Sequence, residues 1–280
     1  MASVDRPKPD AVQALFGRPQ AVVGVLHLPP LPGSPRYRGA PIDDLLEEAL
    51  RDARRYARGG VHGLIVENHG DIPFAKPADL GPETAALMAV IAERVRREIG
   101  LPLGINVLAN AAHHALAVAH ASGAGFVRVN QWANAYVANE GLLEGPAAAA
   151  TRYRAWLGAR QVRVFADVHV KHGAHAITAD RSLVELTRDL EFFDADAVIV
   201  TGQRTGDGVD LEELRTVRGA TQLPLLVGSG VAEHNVAAIM RIADGVIVAS
   251  ALKEEGVWWT PVSEAKVRAF MRRIGDSSEG

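Results

Sequence analysis

Three side chains with acid–base chemistry alternate along one apolar run, Asp167-Val168-His169-Val170-Lys171. Alternate side chains of an extended strand point to the same side, so Asp167, His169 and Lys171 share one face. We expect Asp167 to stay ionised beside Lys171, which leaves His169 to exchange protons near neutral pH. The alternative is structural: a buried ion pair of Asp167 with Lys171, and His169 donating to a carbonyl.

A further carboxylate, Glu67, stands near the end of another apolar run, Gly63–Asn68. We expect Glu67 to orient substrate hydroxyls or to share a divalent metal with Asp167 and His169. Three such ligands on two strands indicate a metal only weakly, so no cofactor is required. In a second interpretation Glu67 neutralises a neighbouring cation. The predicted catalytic residues are thus Glu67, Asp167, His169 and Lys171.

Two turns that contain glycine or serine indicate a site for an anion. Gly228-Ser229-Gly230 ends an apolar run before a predicted helix, and the next run ends at Ser250, shortly before Lys253. Glycine permits close backbone approach, and amides at the start of a helix favour an anion. We expect Gly228, Ser229, Gly230 and Ser250 to bind a phosphate group, to which Lys253 could add an ammonium, with ordinary turn formation as the alternative.

Short apolar runs alternate with helical periods along the whole chain and must position these residues. The strands are predicted at Val22–Leu28, Gly63–Asn68, Leu103–Leu108, Phe126–Asn130, Val162–Val170, Ala197–Gly202, Leu225–Gly228 and Val246–Ser250. The helices are predicted at Ile42–Arg58, Glu83–Ile99, Ala111–Ala121, Ala147–Gly158, Leu183–Phe193, Leu211–Val217, Glu233–Ile242 and Val262–Ile274.

Eight strand–helix units with strands rich in Val, Ile and Leu predict a parallel sheet that is covered on both faces. The count and the length of 280 residues favour a (β/α)8 TIM barrel, which typically has about 250 residues. A doubly wound open sheet is the alternative. We expect a single domain over 1–280, with a core at about 20–274 and loose ends near 1–18 and 276–280.

Chemistry in such barrels occurs at the carboxyl ends of the strands, where this sequence repeatedly places polar residues. Asn106 and Asn130 could instead bond to loop backbone. Arg204 belongs to a glycine-bounded segment that is either a lid over an anionic ligand or a surface turn. The residues predicted to contact substrate are His27, Asn68, Asn106, Asn130, Thr201 and Arg204.

Composition excludes several classes of protein. The chain is 48% hydrophobic and 22% charged, has a formal net charge of −3 and contains no cysteine. This composition is typical of globular proteins, excludes disulfides and Cys-based metal sites, and offers no basic surface for nucleic acid. The N-terminal segment does not resemble a signal peptide, and no apolar stretch is long enough to span a membrane. We expect a cytoplasmic protein, with peripheral membrane attachment as an open alternative.

Several motifs resemble those of the BtpA/SgcQ family, in order over about 20–274. They are Val25-Leu26-His27-Leu28-Pro29-Pro30-Leu31-Pro32-Gly33-Ser34-Pro35, Glu67-Asn68-His69-Gly70-Asp71-Ile72-Pro73-Phe74, Asp167-Val168-His169-Val170-Lys171-His172, Thr201-Gly202 with Thr205-Gly206, Val227-Gly228-Ser229-Gly230-Val231 and Asp244-Gly245-Val246-Ile247-Val248. Ala249-Ser250 departs from the expected Gly followed by a hydroxyl residue. The resemblance implies a TIM barrel of the ribulose-phosphate-binding type and defines no reaction. One type of member is named for photosystem I biogenesis, and another lies among sugar-utilisation genes.

Together these observations favour an enzyme of the lyase, isomerase or aldolase-like type that acts on a small phosphorylated sugar or nucleotide-like metabolite. The alternatives are a non-catalytic photosystem I assembly factor and a sensor that binds a phosphometabolite without turnover. A homo-oligomer is compatible with each of these three functions.

Overall fold

Eight parallel strands close into a barrel in this computed structural model, which describes residues 8–170, 173–202 and 210–275. The predicted TIM barrel is therefore confirmed, and the open sheet is excluded because β1 pairs with both β2 and β10. The strands are β1 Ala21–His27, β2 Gly63–Glu67, β3 Leu103–Asn106, β4 Phe126–Val129, β5 Ala135–Ala138, β6 Gly141–Glu144, β7 Arg163–Asp167, β8 Ala197–Val200, β9 Leu225–Val227 and β10 Gly245–Val248.

Around the barrel the strands follow the order β1-β10-β9-β8-β7-β4-β3-β2. The helices are α1 Ala11–Phe16, α2 Ile42–Gly59, α3 Pro82–Ile99, α4 Ala112–Ser122, α5 Ala147–Trp156, α6 Leu183–Phe192, α7 Leu211–Ala220, α8 Val236–Met240 and α9 Glu264–Gly275. Short 3₁₀ turns occur at Pro77–Asp79, Ala176–Thr178 and Ser250–Leu252. Within the described residues, no helix combines the length and the apolar character needed to cross a bilayer.

Helix and strand pack closely where β1 faces α2. Gly24 has no side chain, and a Cβ there would lie 2.7 Å from Cδ1 of Tyr56. The buried Tyr56 ring fills this space, and its hydroxyl donates to the carbonyl of Val25 at 3.2 Å. A glycine inside an apolar strand thus marks the close approach of a large side chain from the covering helix.

The short helix α1 closes the amino end of the barrel. Asp10 caps it by accepting from the amide of Gln13, and Ala11 and Val12 are fully buried in the interior cluster. Phe16 meets the ring of Phe126 edge-on, with 5.9 Å between ring centroids. The expectation of a loose segment over 1–18 is therefore wrong for 11–16, because these apolar side chains cover the open base of the barrel.

A two-stranded hairpin, β5–β6, follows β4 and was not predicted. Val137 and Ala174 form a bridge in which each amide donates to the other's carbonyl, at 3.0 and 2.8 Å. Tyr136, which is buried in the hairpin, stacks on His175 with 5.4 Å between centroids. The hairpin therefore braces the segment that follows β7 at the carboxyl end of the barrel.

Candidate functional site

The ends of three neighbouring strands bring His27, Glu67 and Asn106 side by side. They are the last residues of β1, β2 and β3, and the register pairs His27 with Glu67 and Glu67 with Asn106. Paired residues of parallel strands point to the same side of a sheet. Three polar side chains therefore enter the carboxyl-terminal mouth together.

Glu67 is the centre of a buried cluster that we call the histidine–glutamate cluster: His27, Glu67, His69 and Asn106. Its Oε1 lies 2.9 Å from His69 Nδ1 and 3.5 Å from His27 Nε2, while Oε2 accepts from Asn106 Nδ2 at 2.6 Å. The side chains of His27 and Glu67 are each 7% exposed, and that of His69 is 29% exposed. Both carboxylate oxygens are thus engaged, and the cluster is open only beside His69.

Two neighbouring contacts orient the imidazoles of this cluster. The rings of His27 and His69 stack with centroids 4.5 Å apart, and His69 packs edge-on against Trp258 at 4.6 Å. His27 Nδ1 lies 3.2 Å from the carbonyl oxygen of Trp258. A carbonyl can only accept, so Nδ1 carries the proton and Nε2 of the neutral ring offers a lone pair towards Glu67.

Burial sets the protonation states of His27 and Glu67. Desolvation lowers the pKa of His27 to about 3, although the charge of Glu67 opposes the shift. Burial alone would raise the pKa of Glu67, but the hydrogen bond with His69 and the charges of His27, His69 and Arg128 hold it below its usual range. At neutral pH the cluster therefore contains a neutral His27 and a carboxylate.

A second buried group joins β4 to β7. Arg128 donates to Asp167 in a bidentate pair, from Nε to Oδ1 at 3.0 Å and from Nη2 to Oδ2 at 2.9 Å. Their side chains are 8% and 1% exposed. Asn130 Nδ2 also donates to Asp167 Oδ2 at 3.3 Å, whereas the buried Asn130 Oδ1 has no hydrogen-bond partner among the described residues. Asp167 is therefore held by an arginine of the adjacent strand.

His169 lies beyond the end of β7 and has different neighbours. Its ring stacks on His175 with 3.7 Å between centroids, and its carbonyl accepts from Thr201 Oγ1 at 3.0 Å. Burial and the neighbouring His175 lower the pKa of His169. These three residues line a cavity of about 390 Å³ that also touches Arg181 and Glu213. His169 thus faces a space large enough for a small ligand.

The predicted metal ligands Glu67, Asp167 and His169 are not the group that the structure assembles. Among the described residues, three potential ligand atoms lie within 4.8 Å of one another in His27, Glu67 and His69. Asp167 lies on β7, three strands from β2 in the order of the barrel, and Arg128 occupies its carboxylate. The β1–β2 register and the loop after β2 therefore give Glu67 two histidines as neighbours.

Asn68 braces a loop in the structure. Its Nδ2 donates to Asp71 Oδ2 at 2.9 Å, and its Oδ1 accepts from the amide of Leu108 at 2.8 Å. Asp71 in turn accepts from the amide of Leu31 at 2.8 Å.

Two further predicted site residues, Lys171 and Arg204, lie outside the described residues.

The loops predicted to bind phosphate are neighbours, because β9 and β10 pair through Leu226–Gly245 and Val227–Val246. Gly230 has a φ of 66°, a conformation that favours glycine. Ser229 is buried, and Ser250 begins the 3₁₀ turn Ser250–Leu252. The predicted helix at Glu233–Ile242 is shorter, Val236–Met240, because Asn235 Oδ1 accepts from the amide of Ala232 at 2.9 Å.

Lys253 was predicted to add an ammonium to this site, and that prediction is wrong. Its Nζ donates to Asp52 Oδ2 on α2 at 2.8 Å, and its side chain is 2% exposed. The lysine therefore ties the end of the barrel to the covering helix.

The comparison with protein families agrees with the sequence motifs. The model of the BtpA family matches residues 18–276. This chain belongs to the BtpA family. An uncharacterized protein of Archaeoglobus fulgidus is 43% identical over 253 residues, which cover 90% of this chain and 98% of that protein. The photosystem I biogenesis protein BtpA of Synechocystis is 38% identical over 256 residues, 91% of this chain and 88% of that protein.

Solved structures with the same barrel are remote in sequence from this BtpA-family chain. Thiamine phosphate pyrophosphorylase from Pyrococcus furiosus superposes with a TM-score of 0.56 at 14% identity, over 92% of this chain and 97% of that one. Orotidine 5'-phosphate decarboxylase from Pyrococcus horikoshii superposes with a TM-score of 0.56 at 14% identity, over 91% of this chain and 99% of that one. At this identity the likeness is one of fold.

Sequence reasoning missed three residues of the site in this family member. Arg128 could have been found, because it precedes Asn130 by two residues in an apolar strand and so shares its face. His69 lies in a loop, where no strand period applies, although a family motif contains it. Trp258 acts through its backbone carbonyl, which carries no signal of residue type.

Proposed function

We propose that this chain is an enzyme that acts on a small phosphorylated metabolite at the carboxyl-terminal mouth of its barrel. The observation that carries the proposal is the concentration of buried charge there, in Glu67, Arg128 and Asp167. Burying a charged group costs several kcal/mol unless partners offset it, about the scale of a folded domain's net stability. A mouth without a ligand would be more stable with apolar side chains.

The proposed reaction is proton transfer of the lyase, isomerase or aldolase-like type. His169, which borders the 390 Å³ cavity, is the proposed acid–base residue, and Asp167 and Lys171 belong to the same catalytic set. Glu67 orients substrate hydroxyls or holds a metal that acts as a Lewis acid. The residues proposed to contact substrate are His27, Asn130, Thr201 and Arg204, whereas Asn68 braces a loop and Asn106 positions Glu67.

The phosphate of the substrate is placed at the two adjacent loops after β9 and β10, at Gly228, Ser229, Gly230 and Ser250. Loops at this position are a recurrent phosphate site of TIM barrels. Phosphorylated compounds also occur in the names of both solved barrels described above. Support for this part comes from the order of the loops and the left-handed backbone of Gly230.

A ligand screen tests the proposal. Phosphorylated sugars and nucleotides, each paired with its dephosphorylated counterpart, are added to the protein, and thermal stabilisation and product formation are measured. We expect selective stabilisation by a phosphorylated compound, together with its conversion. Binding without conversion would support a sensor, and the absence of both would favour the assembly role that the name of the Synechocystis relative suggests.

A cytoplasmic location and a homo-oligomeric state are further parts of the proposal. Light scattering coupled to size-exclusion chromatography measures the mass of the particle, for which we expect a multiple of the 29.8 kDa chain. Elution at the mass of a single chain would contradict this part and leave the proposed chemistry unaffected.

A further inference from the structure

One contact in the histidine–glutamate cluster, between His27 and Glu67, is longer than a hydrogen bond between protein groups. In a neutral His27 ring the proton lies on Nδ1, which is 3.2 Å from the carbonyl oxygen of Trp258, so Nε2 presents a lone pair. That lone pair faces Glu67 Oε1 at 3.5 Å, and a carboxylate oxygen can only accept. Two electron-rich atoms that face each other inside a protein repel, unless a cation lies between them.

The distance between His27 Nε2 and Glu67 Oε1 fits a metal ion better than a shared proton, whereas the 2.9 Å between His69 Nδ1 and Glu67 Oε1 is that of a hydrogen bond. An N–H···O hydrogen bond has a heavy-atom distance of about 2.7–3.2 Å, shorter than the 3.5 Å between His27 Nε2 and Glu67 Oε1. Tetrahedral bonds of about 2.0–2.2 Å to a metal place neighbouring ligand atoms roughly 3.3–3.6 Å apart. The ligand atoms of His27, Glu67 and His69 lie within 4.8 Å of one another. Small rearrangements of these side chains would therefore close them around one ion.

We propose that His27 Nε2, Glu67 Oε1 and a ring nitrogen of His69 bind one divalent transition-metal ion, with zinc as the preferred ion. Two imidazoles and one carboxylate suit zinc and its neighbours, whereas Mg²⁺ and Ca²⁺ prefer sites built from oxygen ligands. This set replaces the one expected from the sequence and shares only Glu67 with it.

Contacts around the three ligands hold them as metal ligands are usually held. The carbonyl of Trp258 takes the Nδ1 proton of His27, and Asn106 Nδ2 donates to Glu67 Oε2 at 2.6 Å, which leaves Oε1 towards the histidines. Such outer contacts fix the tautomer and the orientation of metal ligands. Asn106 and Trp258 are therefore positioning residues of this metal site.

The exposure of the cluster indicates a metal with an open coordination position. His27 and Glu67 are almost enclosed, whereas the His69 side chain is 29% exposed at the mouth. Sites with three protein ligands and an open position are typical of catalytic zinc, and structural zinc usually has four protein ligands. The catalytic role of the ion rests on the proposed function, but its binding does not.

Metal titration of the purified full chain tests the site without any substrate. The protein is stripped with a chelator, and Zn²⁺ or Co²⁺ is added while heat and Co²⁺ absorption are measured. We expect one ion per chain and a Co²⁺ spectrum of low-symmetry coordination. A chain that binds neither ion, or binds them without defined stoichiometry, would overturn the proposal and show that His27 and Glu67 are paired through a proton.

Single variants assign the ligands. His27→Ala, Glu67→Gln and His69→Ala should each weaken Zn²⁺ binding at least about 100-fold, and Asn106→Ala should weaken it about 10–100-fold. His69→Ala is the variant best suited to a folded comparison, because this side chain is partly exposed in a loop. Circular dichroism and thermal melting verify the fold of every variant.

Asp167→Asn and His169→Ala are the matched controls, since they remove the other two ligands that the sequence suggested. They should leave the affinity for Zn²⁺ unchanged. Loss of binding in these controls, or wild-type affinity in folded His69→Ala and Glu67→Gln, would contradict the assignment. Because no phosphorylated ligand is present, the metal site and the proposed phosphometabolite activity can each fail independently.

Discussion

At the scale of single residues, the mouth of the barrel is organised by pairs of buried polar groups. Arg128 and Asp167 satisfy each other through two parallel hydrogen bonds, and Glu67 has partners at both oxygens. In such pairs each group offsets the desolvation of the other, so the loss of one partner leaves a charge buried and unpaired.

Loss of one partner of the Arg128–Asp167 pair should therefore destabilise the protein more than loss of both partners. Arg128→Met is expected to lower the free energy of unfolding by about 3–5 kcal/mol, because Asp167 is left unpaired, and Arg128→Met combined with Asp167→Leu should recover much of this loss. Urea denaturation of the single and double variants measures the coupling. The exposed pair Arg215–Glu212 is the control, with a coupling of about 0.2–1 kcal/mol. Coupling energies of the same size in the two pairs would show that burial does not determine the strength of the coupling.

His169→Ala should reduce turnover about 10²–10⁴-fold once a substrate is known, since this is the typical contribution of a positioned acid–base residue. The lowered pKa of His169 means that the ring stays neutral to a lower pH than an ordinary histidine. As a base it should give a rate that rises with pH below about 6.5, the ordinary histidine pKa. His113→Ala, on α4, is the control for loss of an imidazole. Wild-type turnover in His169→Ala would move the base to Glu67.

At the scale of elements, single residues determine how strands join the neighbouring segments. The amide of Val22 on β1 donates at 2.9 Å to Nδ1 of His62, which directly precedes β2. Two strands from β1 in the order of the barrel, the loop after β9 contains Gly230, whose backbone is left-handed. Each feature combines a local backbone requirement with a specific side chain or its absence.

The joint between β1 and β2 should make stability sensitive to acid. Burial, assisted by Arg18, lowers the pKa of His62 to about 4, so between that value and about 6.5 the unfolded chain binds more protons. Stability contributed by neutral His62 is therefore complete above about pH 6.5 and is lost as the pH falls towards 4. His62→Asn keeps an acceptor for Val22 but cannot titrate. As the pH falls across this range, the melting temperature should fall less steeply for His62→Asn than for the wild type. Parallel curves for the two proteins would contradict the role assigned to His62.

Gly230→Ala should weaken binding of a phosphorylated ligand more than it weakens the fold. The added Cβ meets a left-handed backbone, which costs roughly 1–2 kcal/mol, and it also enters the proposed phosphate site. Gly158→Ala is the matched control, because its φ of 73° is similar, the space around it is open, and it follows α5. Similar melting temperatures with a selective loss of ligand binding in Gly230→Ala support the site. Equal ligand binding by both variants would argue against it.

At the scale of the whole molecule, apolar and ionisable side chains are concentrated at opposite ends of the barrel. Phenylalanine side chains and α1 fill the amino end, where the aromatic rings of Phe126 and Phe165 stack with centroids 4.6 Å apart. Ionisable groups occupy the carboxyl end, in the layer above these rings. This division is typical of TIM barrels.

Phe16→Ala should accordingly destabilise the protein without affecting the mouth. Truncation of a buried phenylalanine costs about 3–5 kcal/mol, and Phe16 is half-buried, so the lower end of this range or less is expected. Thermal melting measures the loss, and Zn²⁺ titration should give wild-type affinity. The exposed Gln13→Ala on the same helix is the control. An unchanged melting temperature in Phe16→Ala would show that α1 does not belong to the core.

The sequence by itself determined the architecture and the order of the strands, although the strand predicted to reach Val170 ends at Asp167. Eight apolar runs separated by helical periods predict a covered parallel sheet, because each strand needs cover on both faces and each helix needs a surface to cover, and the count of eight favours a barrel over an open sheet. The period of two within a strand also placed Glu67, Asn106 and Asp167 at the mouth. These properties depend on neighbours along the chain, which a sequence records directly.

Only the tertiary structure decided which polar groups meet. Residues four apart in a strand are separated by about 13 Å, whereas neighbouring strands lie about 4.8 Å apart, so cross-strand partners outcompete partners on the same strand. Asp167 pairs with Arg128 of the adjacent strand β4, which lies 39 positions away along the chain. His27, Glu67 and His69 meet because the β1–β2 register and the loop after β2 bring them together. A period along the chain contains no information about barrel register or the path of a loop, and those two properties create the proposed metal site.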